Sequence, residues 1–258
     1  MSAGKYKKLT EFISEHDKAV VALSGGVDST LLAKASYDVL GDKTLAITID
    51  NGLMSATDVL KAGEMAEEIG VRHQMVSDNF LSDKHFAENP PDRCYICKKR
   101  IAFILKKTAL KEGNISLFDG TNADDLRGGR PGIKALKEEG IETPLADLGF
   151  TKDDIRREAK KLGLSNHDRY SNTCLATRIP YGRKLNKQKL EQVEKAEEIL
   201  MELGLKQFRV RNHRHIARIE SFKDSFPIII ENSDYIVEEF KKLGFSYVNL
   251  DLKAYDGK

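Results

Sequence analysis

The sequence predicts an α/β protein: a doubly wound parallel sheet followed by a small C-terminal α+β domain. Three observations carry that expectation. From residue 18 to residue 163, strand-sized apolar runs alternate with segments of helical periodicity, which builds a parallel sheet covered on both faces. The first run ends in a glycine-rich loop that opens a helix, at the strand end where ligands bind in open α/β sheets. After residue 180 the style changes to one long charged helix and a quick succession of short strands. A chain of 258 residues accommodates one large or two modest domains. The change of style divides it into 1–182 and 183–258.

The elements follow in order. Residues 5–16 read as a short amphipathic helix. "KAVVALS" (18–24) is a compact apolar run, as a buried parallel strand should be. "DSTLLAKASYDVL" has helical periodicity and Gly41 as a stop. "KTLAITID" (43–50) is a second strand, and "ATDVLKAGEMAEEIG" a second helix capped by Gly70. "VRHQMVS" (71–77) is a third strand. A polar stretch with "NPPDR" precedes a basic helix, "CKKRIAFILKKTALKEG", and "NISLFDG" (114–120) is a fourth strand. "TKDDIRREAKKLG" (151–163) is a helix that Thr151 and Asp154 open with a capping-box pattern. Beyond residue 183, "NKQKLEQVEKAEEILMELG" is a long helix. "QFRVR", "HIARIE" and "FPIIIE" read as short strands, "DYIVEEFKKLG" as a helix and "FSYVNLDL" as a last strand.

Bulk composition narrows the function classes. Forty-two basic against 40 acidic residues leave a net charge of +2, too balanced to predict nonspecific nucleic-acid binding. The basic N-terminus runs into "ISEHDK" and not into an apolar signal core, and no apolar run approaches a membrane span. A cytoplasmic protein is expected. Its three cysteines, two of them as Cys94-x-x-Cys97 and the third Cys174, then point to thiol chemistry or metal binding and not to structural disulfides.

The loop "SGGVDST", Ser24 to Thr30, carries the clearest chemistry. Gly25 and Gly26 have no Cβ, so their N–H groups can approach an anion, and the following helix adds its positive end. Ser24 and Ser29 supply hydroxyl donors. A carboxylate at Asp28 repels phosphate unless a cation lies between them, and Mg²⁺ is the natural bridge. The loop lacks the GK[ST] of a Walker A motif and the spacing of a dinucleotide fingerprint.

Ser-Gly-Gly-Val-Asp-Ser after the first strand resembles the pyrophosphate loop of the ATP-pyrophosphatase (PP-loop) superfamily. "IDNG" (49–52), with Asp50, falls where that superfamily recognises adenosine. "DGTNADD" (119–125) resembles its second acidic motif, with Gly120 in the turn and Asp124 or Asp125 as a Mg²⁺ ligand. The resemblance implies cleavage of ATP to AMP and pyrophosphate with adenylation of a substrate oxygen.

"NPPDRCYICKKR", "GTNADDLRGGRPG" and "CLATRIPYG" together resemble the LarE family of ATP-dependent sulfur transferases. That resemblance implies adenylation of a carboxylate of a pyridinium dicarboxylate mononucleotide and its conversion to a thiocarboxylate, in nickel-pincer nucleotide synthesis. Two sulfur routes occur in the family. Cys174 can surrender its own sulfur, or Cys94, Cys97 and Cys174 can hold three irons of a [4Fe–4S] cluster whose fourth iron carries sulfide. The presence of all three cysteines favours the cluster. Sulfide or a donor system would then be a partner, beside the small-molecule nucleotide.

"QFRVRNHRHIARIE" (207–220) is the second concentration of chemistry. Period two puts Arg209 and Arg211 on one strand face, and paired guanidiniums suit a phosphate or carboxylate. The family resemblance adds Glu220 and Glu197 near the substrate phosphate, and motif position adds Arg178 and Arg130. It also implies a homo-oligomer. The competing readings are a tRNA thiolation enzyme, which shares the adenylation step, and a nucleotide-binding module without chemistry.

Overall fold

The computed structural model describes residues 2–113, 116–128, 131–170 and 172–255. They form two compact units, one of Met1–Asn79 with Asp92–Asn172 and the other of Phe80–Pro91 with Thr173–Lys258.

In chain order the first unit comprises α1 (Ser2–Ser14), β1 (Ala19–Ala22), α2 (Val27–Leu40), β2 (Thr44–Asp50), α3 (Ala56–Ile69) and β3 (Arg72–Ser77). After α4 (Lys84–Ala87), which belongs to the second unit, it continues with α5 (Arg93–Glu112), β4 (Ser116–Phe118), α6 (Ala123–Arg127), α7 (Pro131–Glu138), α8 (Pro144–Asp147) and α9 (Lys152–Lys161). The sheet order is β3-β2-β1-β4 and every pairing is parallel. Ala19, Val20 and Val21 of β1 are fully buried, because a central parallel strand is covered on both faces. The chain runs outward from β1 to β3 and then crosses to the other side of β1 for β4. The switch point between β1 and β4 is where such sheets open a ligand crevice. The expected fourth strand is shorter than its apolar run, and Asn114 and Ile115 lie outside the described residues, as do Arg130 and Ser171.

Local signals explain most boundaries. The Thr151 side chain accepts from the Asp154 amide, and Asp154 reaches back to the Thr151 amide, so the expected capping box opens α9. Ser55 caps α3 through the Asp58 amide, and Gly70 closes it.

The second unit contains α10 (Lys187–Glu202), β5 (Phe208–His213), β6 (Ile216–Ser221), α11 (Phe226–Glu231), α12 (Ser233–Lys242) and β7 (Tyr247–Leu250). β5 and β6 are antiparallel, β6 and β7 parallel. Leu200, Val210, Ile219, Ile236, Phe240 and Phe245 make its core. "FPIIIE" corrects the expected strand: it is the helix α11. Proline lacks an amide to lose in a first helical turn, and Pro227 stands in that turn. The second unit takes in Phe80–Pro91 and resumes at Thr173, where 183 was the expected boundary. The reason is physical, since Arg178 within "CLATRIPYG" is ion-paired to Glu197 of α10.

Candidate active site

The phosphate loop sits at the C-terminal end of β1. Gly25 has φ +74°, and a Cβ there would stand 2.8 Å from the Ala62 amide nitrogen and 3.1 Å from the Asp58 carbonyl of α3. Glycine is therefore required twice over, by conformation and by space. The Gly25 carbonyl accepts from two donors, Asn166 Nδ2 at 3.1 Å and Arg169 at 3.2 Å. Arg169 also pairs with Asp58 at 2.8 Å, which in turn accepts from Asn172. Gly26 is the N-cap of α2 and takes hydrogen bonds from the Ser29 and Thr30 hydroxyls. The Ser24 and Ser29 hydroxyls face one another at 3.1 Å. Backbone amides, two hydroxyls and the start of a 14-residue helix thus converge, a set of donors suited to phosphate.

The second acidic motif meets this loop across the switch point. A Cβ on Gly120 would lie 2.8 Å from the Ser29 amide nitrogen, so the turn after β4 rests on the first turn of α2. Asp119 is buried, accepts from the Thr121 amide and hydroxyl, and pairs with Lys98 at 2.7 Å. Burial would raise its pKa, but Lys98 and Thr121 outweigh burial and hold it below the usual carboxylate range. Asn122 caps α6, with Asp125 closing a capping box, and Asn122 Nδ2 reaches Asp28 Oδ2 at 3.2 Å. Asp124 accepts the Lys152 backbone amide at 2.8 Å. Lys152 Nζ donates to Asp28 Oδ2 as well.

Asp28 is the singular group. Its Oδ1 is buried and receives no hydrogen bond from the described residues. Burial pushes its pKa up and the Asp125 charge adds to that, against the pull of Lys152 and Asn122. An unsatisfied carboxylate oxygen on a group that also feels a second carboxylate's charge fits an oxygen-ligated divalent cation. Asp50, at the end of β2, closes a tight turn by accepting the Gly52 amide at 3.1 Å.

Cys94 and Cys97 lie in the first turns of α5, three residues apart and so on one helix face, both half-buried. Lys98 adjoins them. Burial would lower its pKa, but Asp119, with Cys97 and Asp125 adding, holds it above its ordinary value. None of the three cysteines is disulfide-bonded.

Cys174 belongs to the second unit, at the head of a one-turn helix over Leu175–Arg178, where its carbonyl accepts the Thr177 amide at 2.9 Å. Arg178 is fully buried. It makes a bidentate pair with Glu197 at 2.8 and 3.0 Å and donates to the Thr173 and Thr177 oxygens. Glu197 also accepts the Val210 amide of β5. These two expected substrate residues thus engage one another and tie the cysteine turn to α10 and β5.

Arg209 and Arg211 do share a strand face, as period two requires. Arg209 stands opposite Glu220 and Arg211 opposite Arg218. Glu220 holds Arg211 at 2.8 Å and Arg218 at 2.5 Å, side by side. Arg209 lies over the Tyr255 ring, and burial, with Arg178 nearby, lowers its pKa. Arg178 thus pairs with Glu197, Arg211 with Glu220, and Arg218 with Glu220 and Asp251.

Sequence reasoning missed Lys152, Asn122, Lys98, Asn166, Arg169 and Asp58. The signal for Lys152 was present, since a capping box names the residue at the helix start, but its partner Asp28 is 124 positions away.

A parallel sheet with a glycine phosphate loop and an acidic motif at its switch point defines an enzyme of the PP-loop ATP-pyrophosphatase class. The NAD synthase family model matches residues 6–87. Pyridinium-3,5-bisthiocarboxylic acid mononucleotide synthase of Lactiplantibacillus plantarum is 35% identical over 254 residues, which cover 98% of this chain and 92% of that protein. An uncharacterised protein of Synechocystis is 39% identical over 99% of this chain and 96% of its own. A glutamine-hydrolysing GMP synthase chain of Methanoculleus marisnigri is 28% identical over 75% of this chain and 67% of its own. The chain belongs to the LarE family of sulfur transferases.

Proposed function

We propose that this enzyme uses Mg·ATP to adenylate a carboxylate of a pyridinium dicarboxylate mononucleotide and then exchanges the activated oxygen for sulfur, giving a thiocarboxylate. The observation that carries the reading is the meeting of the phosphate loop and the acidic motif around the unsatisfied oxygen of Asp28. The likeness to the Lactiplantibacillus enzyme supports the substrate class.

The residues divide the work. The amides of Gly25 and Gly26 and the hydroxyls of Ser24 and Ser29 bind the phosphates of ATP, with Asp50 on the nucleoside side. Gly120 fits the acidic turn against the loop. Asp28 and Asp125 hold Mg²⁺, which supplies neutralisation of the negative charge on the departing pyrophosphate. The substrate carboxylate attacks the α-phosphorus, and the α–β bridge P–O bond breaks. The acyl adenylate so formed is a far better electrophile than a free carboxylate. Arg209 and Arg211, the latter held by Glu220, bind the substrate phosphate, while Arg178 and Glu197 position the Cys174 turn.

A sulfur nucleophile then attacks the acyl carbon and AMP leaves with the C–O electron pair. For the sulfur source we favour a [4Fe–4S] cluster on Cys94, Cys97 and Cys174. The cysteines match it in number and kind. Among the described residues, however, no three His, Cys, Asp or Glu side chains are grouped to hold a metal ion. In the second reading the Cys174 thiolate attacks, and its Cβ–S bond breaks with loss of the α-proton, leaving dehydroalanine.

Two experiments test the proposal. Pyrophosphate release is measured with ATP, Mg²⁺ and each candidate acceptor. Release with the pyridinium mononucleotide supports the reading, and release only with tRNA overturns it. Anaerobic reconstitution with iron and sulfide, on the protein and its three single Cys→Ala variants, tests the cluster. A full cluster in all three variants refutes the trio, and loss of one sulfur from the polypeptide by mass on turnover establishes the sacrificial route. We expect a cytoplasmic homo-oligomer, tested by light scattering. No helix among the described residues is long and apolar enough to cross a membrane.

A further inference from the structure

The polar segment that runs into "NPPDR" does more than separate a strand from a helix. Phe80–Pro91 shares the second unit with Thr173–Lys258, and there it docks on the chain that follows Cys174. Phe80 and Phe86 are buried edge to face, their ring centroids 5.9 Å apart, and the Asp83 side chain caps α4. Leu185 donates its amide to the Ala87 carbonyl at 2.7 Å, and Gly182 donates to the Asn89 carbonyl at 2.9 Å. Asn89 itself is fully buried. Its Nδ2 donates to the Pro180 carbonyl at 2.9 Å and to the Ile179 carbonyl at 3.2 Å.

Two properties suit an asparagine to this place. Its φ is +59°, a left-handed conformation that asparagine tolerates and most side chains resist. Its amide nitrogen carries two hydrogens, enough to serve both carbonyls. Those carbonyls lie just past the one-turn helix Leu175–Arg178 that Cys174 heads. On the other side, the Cys174 carbonyl accepts the Thr177 amide and hydroxyl, both at 2.9 Å. Arg178, braced by Glu197, donates to the Thr173 carbonyl at 2.9 Å. The turn is thus held before the cysteine by Arg178 and after it by Asn89. Cysteine has a short side chain, so the sulfur moves with the backbone of the turn.

We propose that Asn89 is a positioning residue of the sulfur step, whose clasp on Ile179 and Pro180 holds the Cys174 turn in the arrangement that delivers sulfur. It takes no part in adenylation, whose donors lie on the phosphate loop. The inference rests on the reading of Cys174 as a sulfur-carrying residue, either as cluster ligand or as donor.

Asn89→Gly removes the clasp and keeps the backbone, because glycine adopts a positive φ readily. Two measurements on the full-length protein read the effect. Pyrophosphate and thiocarboxylate are quantified from one reaction with ATP, Mg²⁺ and the pyridinium mononucleotide, after anaerobic reconstitution with iron and sulfide. Pyrophosphate release should stay near native, while thiocarboxylate per pyrophosphate falls about tenfold to a hundredfold, the scale of a misplacement approaching 1 Å. Iodoacetamide alkylation of the protein before reconstitution is followed at each cysteine by peptide mass spectrometry. It should accelerate several-fold at Cys174, with Cys94 and Cys97 at native rates. If Asn89→Gly fails to fold, Asn89→Asp keeps the shape, turns the donor into an acceptor facing two carbonyls, and should give the same two results. A native yield of thiocarboxylate per pyrophosphate, a native alkylation rate at Cys174, or equal acceleration at all three cysteines overturns the inference. Cys174→Ser separates the two levels. Undiminished thiocarboxylate from that variant overturns the sulfur reading of Cys174 and this role of Asn89 with it. Loss of thiocarboxylate in Cys174→Ser beside native behaviour in Asn89→Gly leaves the sulfur reading standing and removes the clasp.

Discussion

Replacing Gly120 by alanine tests whether the switch point is assembled by contact between backbones. Gly120 does not have a positive φ, so the backbone itself accepts any residue there. What forbids a side chain is space. The new Cβ would lie 2.8 Å from the Ser29 amide nitrogen, 2.9 Å from its Cα and 3.2 Å from the Asp28 carbonyl carbon. Ordinary contact begins near 3.4 Å, so the turn or the start of α2 must give way by about 0.6 Å. All three obstacles are backbone, and no rotamer change relieves them. Overpacking of this kind costs about 1–3 kcal/mol, and each kcal/mol lowers Tm by about 2–4 °C at this size. The displacement falls on Ser29 and Asp28 themselves, and a misplacement approaching 1 Å at reacting groups costs about a hundredfold in rate. Thermal melting and steady-state pyrophosphate release read the two effects. Gly26→Ala is the internal comparison: its Cβ would meet nothing closer than the Ser24 hydroxyl at 3.5 Å, so its Tm should stay near native. A Gly120→Ala enzyme with native Tm and native turnover would refute the packing of the acidic turn on α2.

Further outcomes follow from the same geometry. Arg178→Ala should destabilise the second unit by about 3–5 kcal/mol in urea denaturation, because it leaves Glu197 buried and unpaired; a loss below about 1 kcal/mol would remove the brace. Arg169→Ala takes one of two donors from the Gly25 carbonyl and should raise the KM for ATP several-fold, with the KM for the acceptor unchanged; equal rises in both would show a general defect. Asp154→Asn should cost about 1–2 kcal/mol at neutral pH through the weakened cap and the lost Lys5 pair. The Lys5 hydrogen bond lowers the Asp154 pKa against burial, and the Thr151 amide and hydroxyl add to it. A lowered carboxyl pKa stabilises above the unfolded value, near 4, and loses that contribution as pH falls. The stability gap between variant and native protein should therefore close below about pH 4 in denaturant titrations. A gap that widens on acidification would contradict the assignment.

The local signals were legible because their physics acts over a few residues. The Thr151–Asp154 box, the Gly70 cap, the glycine loop after β1 and the shared face of Arg209 and Arg211 each depend on neighbours in sequence. "FPIIIE" misled because three adjacent isoleucines carry no period, and Pro227 in the first turn was the one local sign of a helix. Which partner each charged group takes was another matter. Nothing near Asp28 in sequence names Lys152, and nothing near Arg178 names Glu197, 19 residues on. The sequence by itself determined the strands, the longer helices and the glycine loop after β1. Only the tertiary structure decided that Arg178 is a buried brace, that Gly120 must be bare to lie on Ser29, and that one lysine serves both acidic motifs. The reason is that such pairings are set by strand order and by the crossover to β4, which bring distant residues within hydrogen-bond reach at a distance no local pattern encodes.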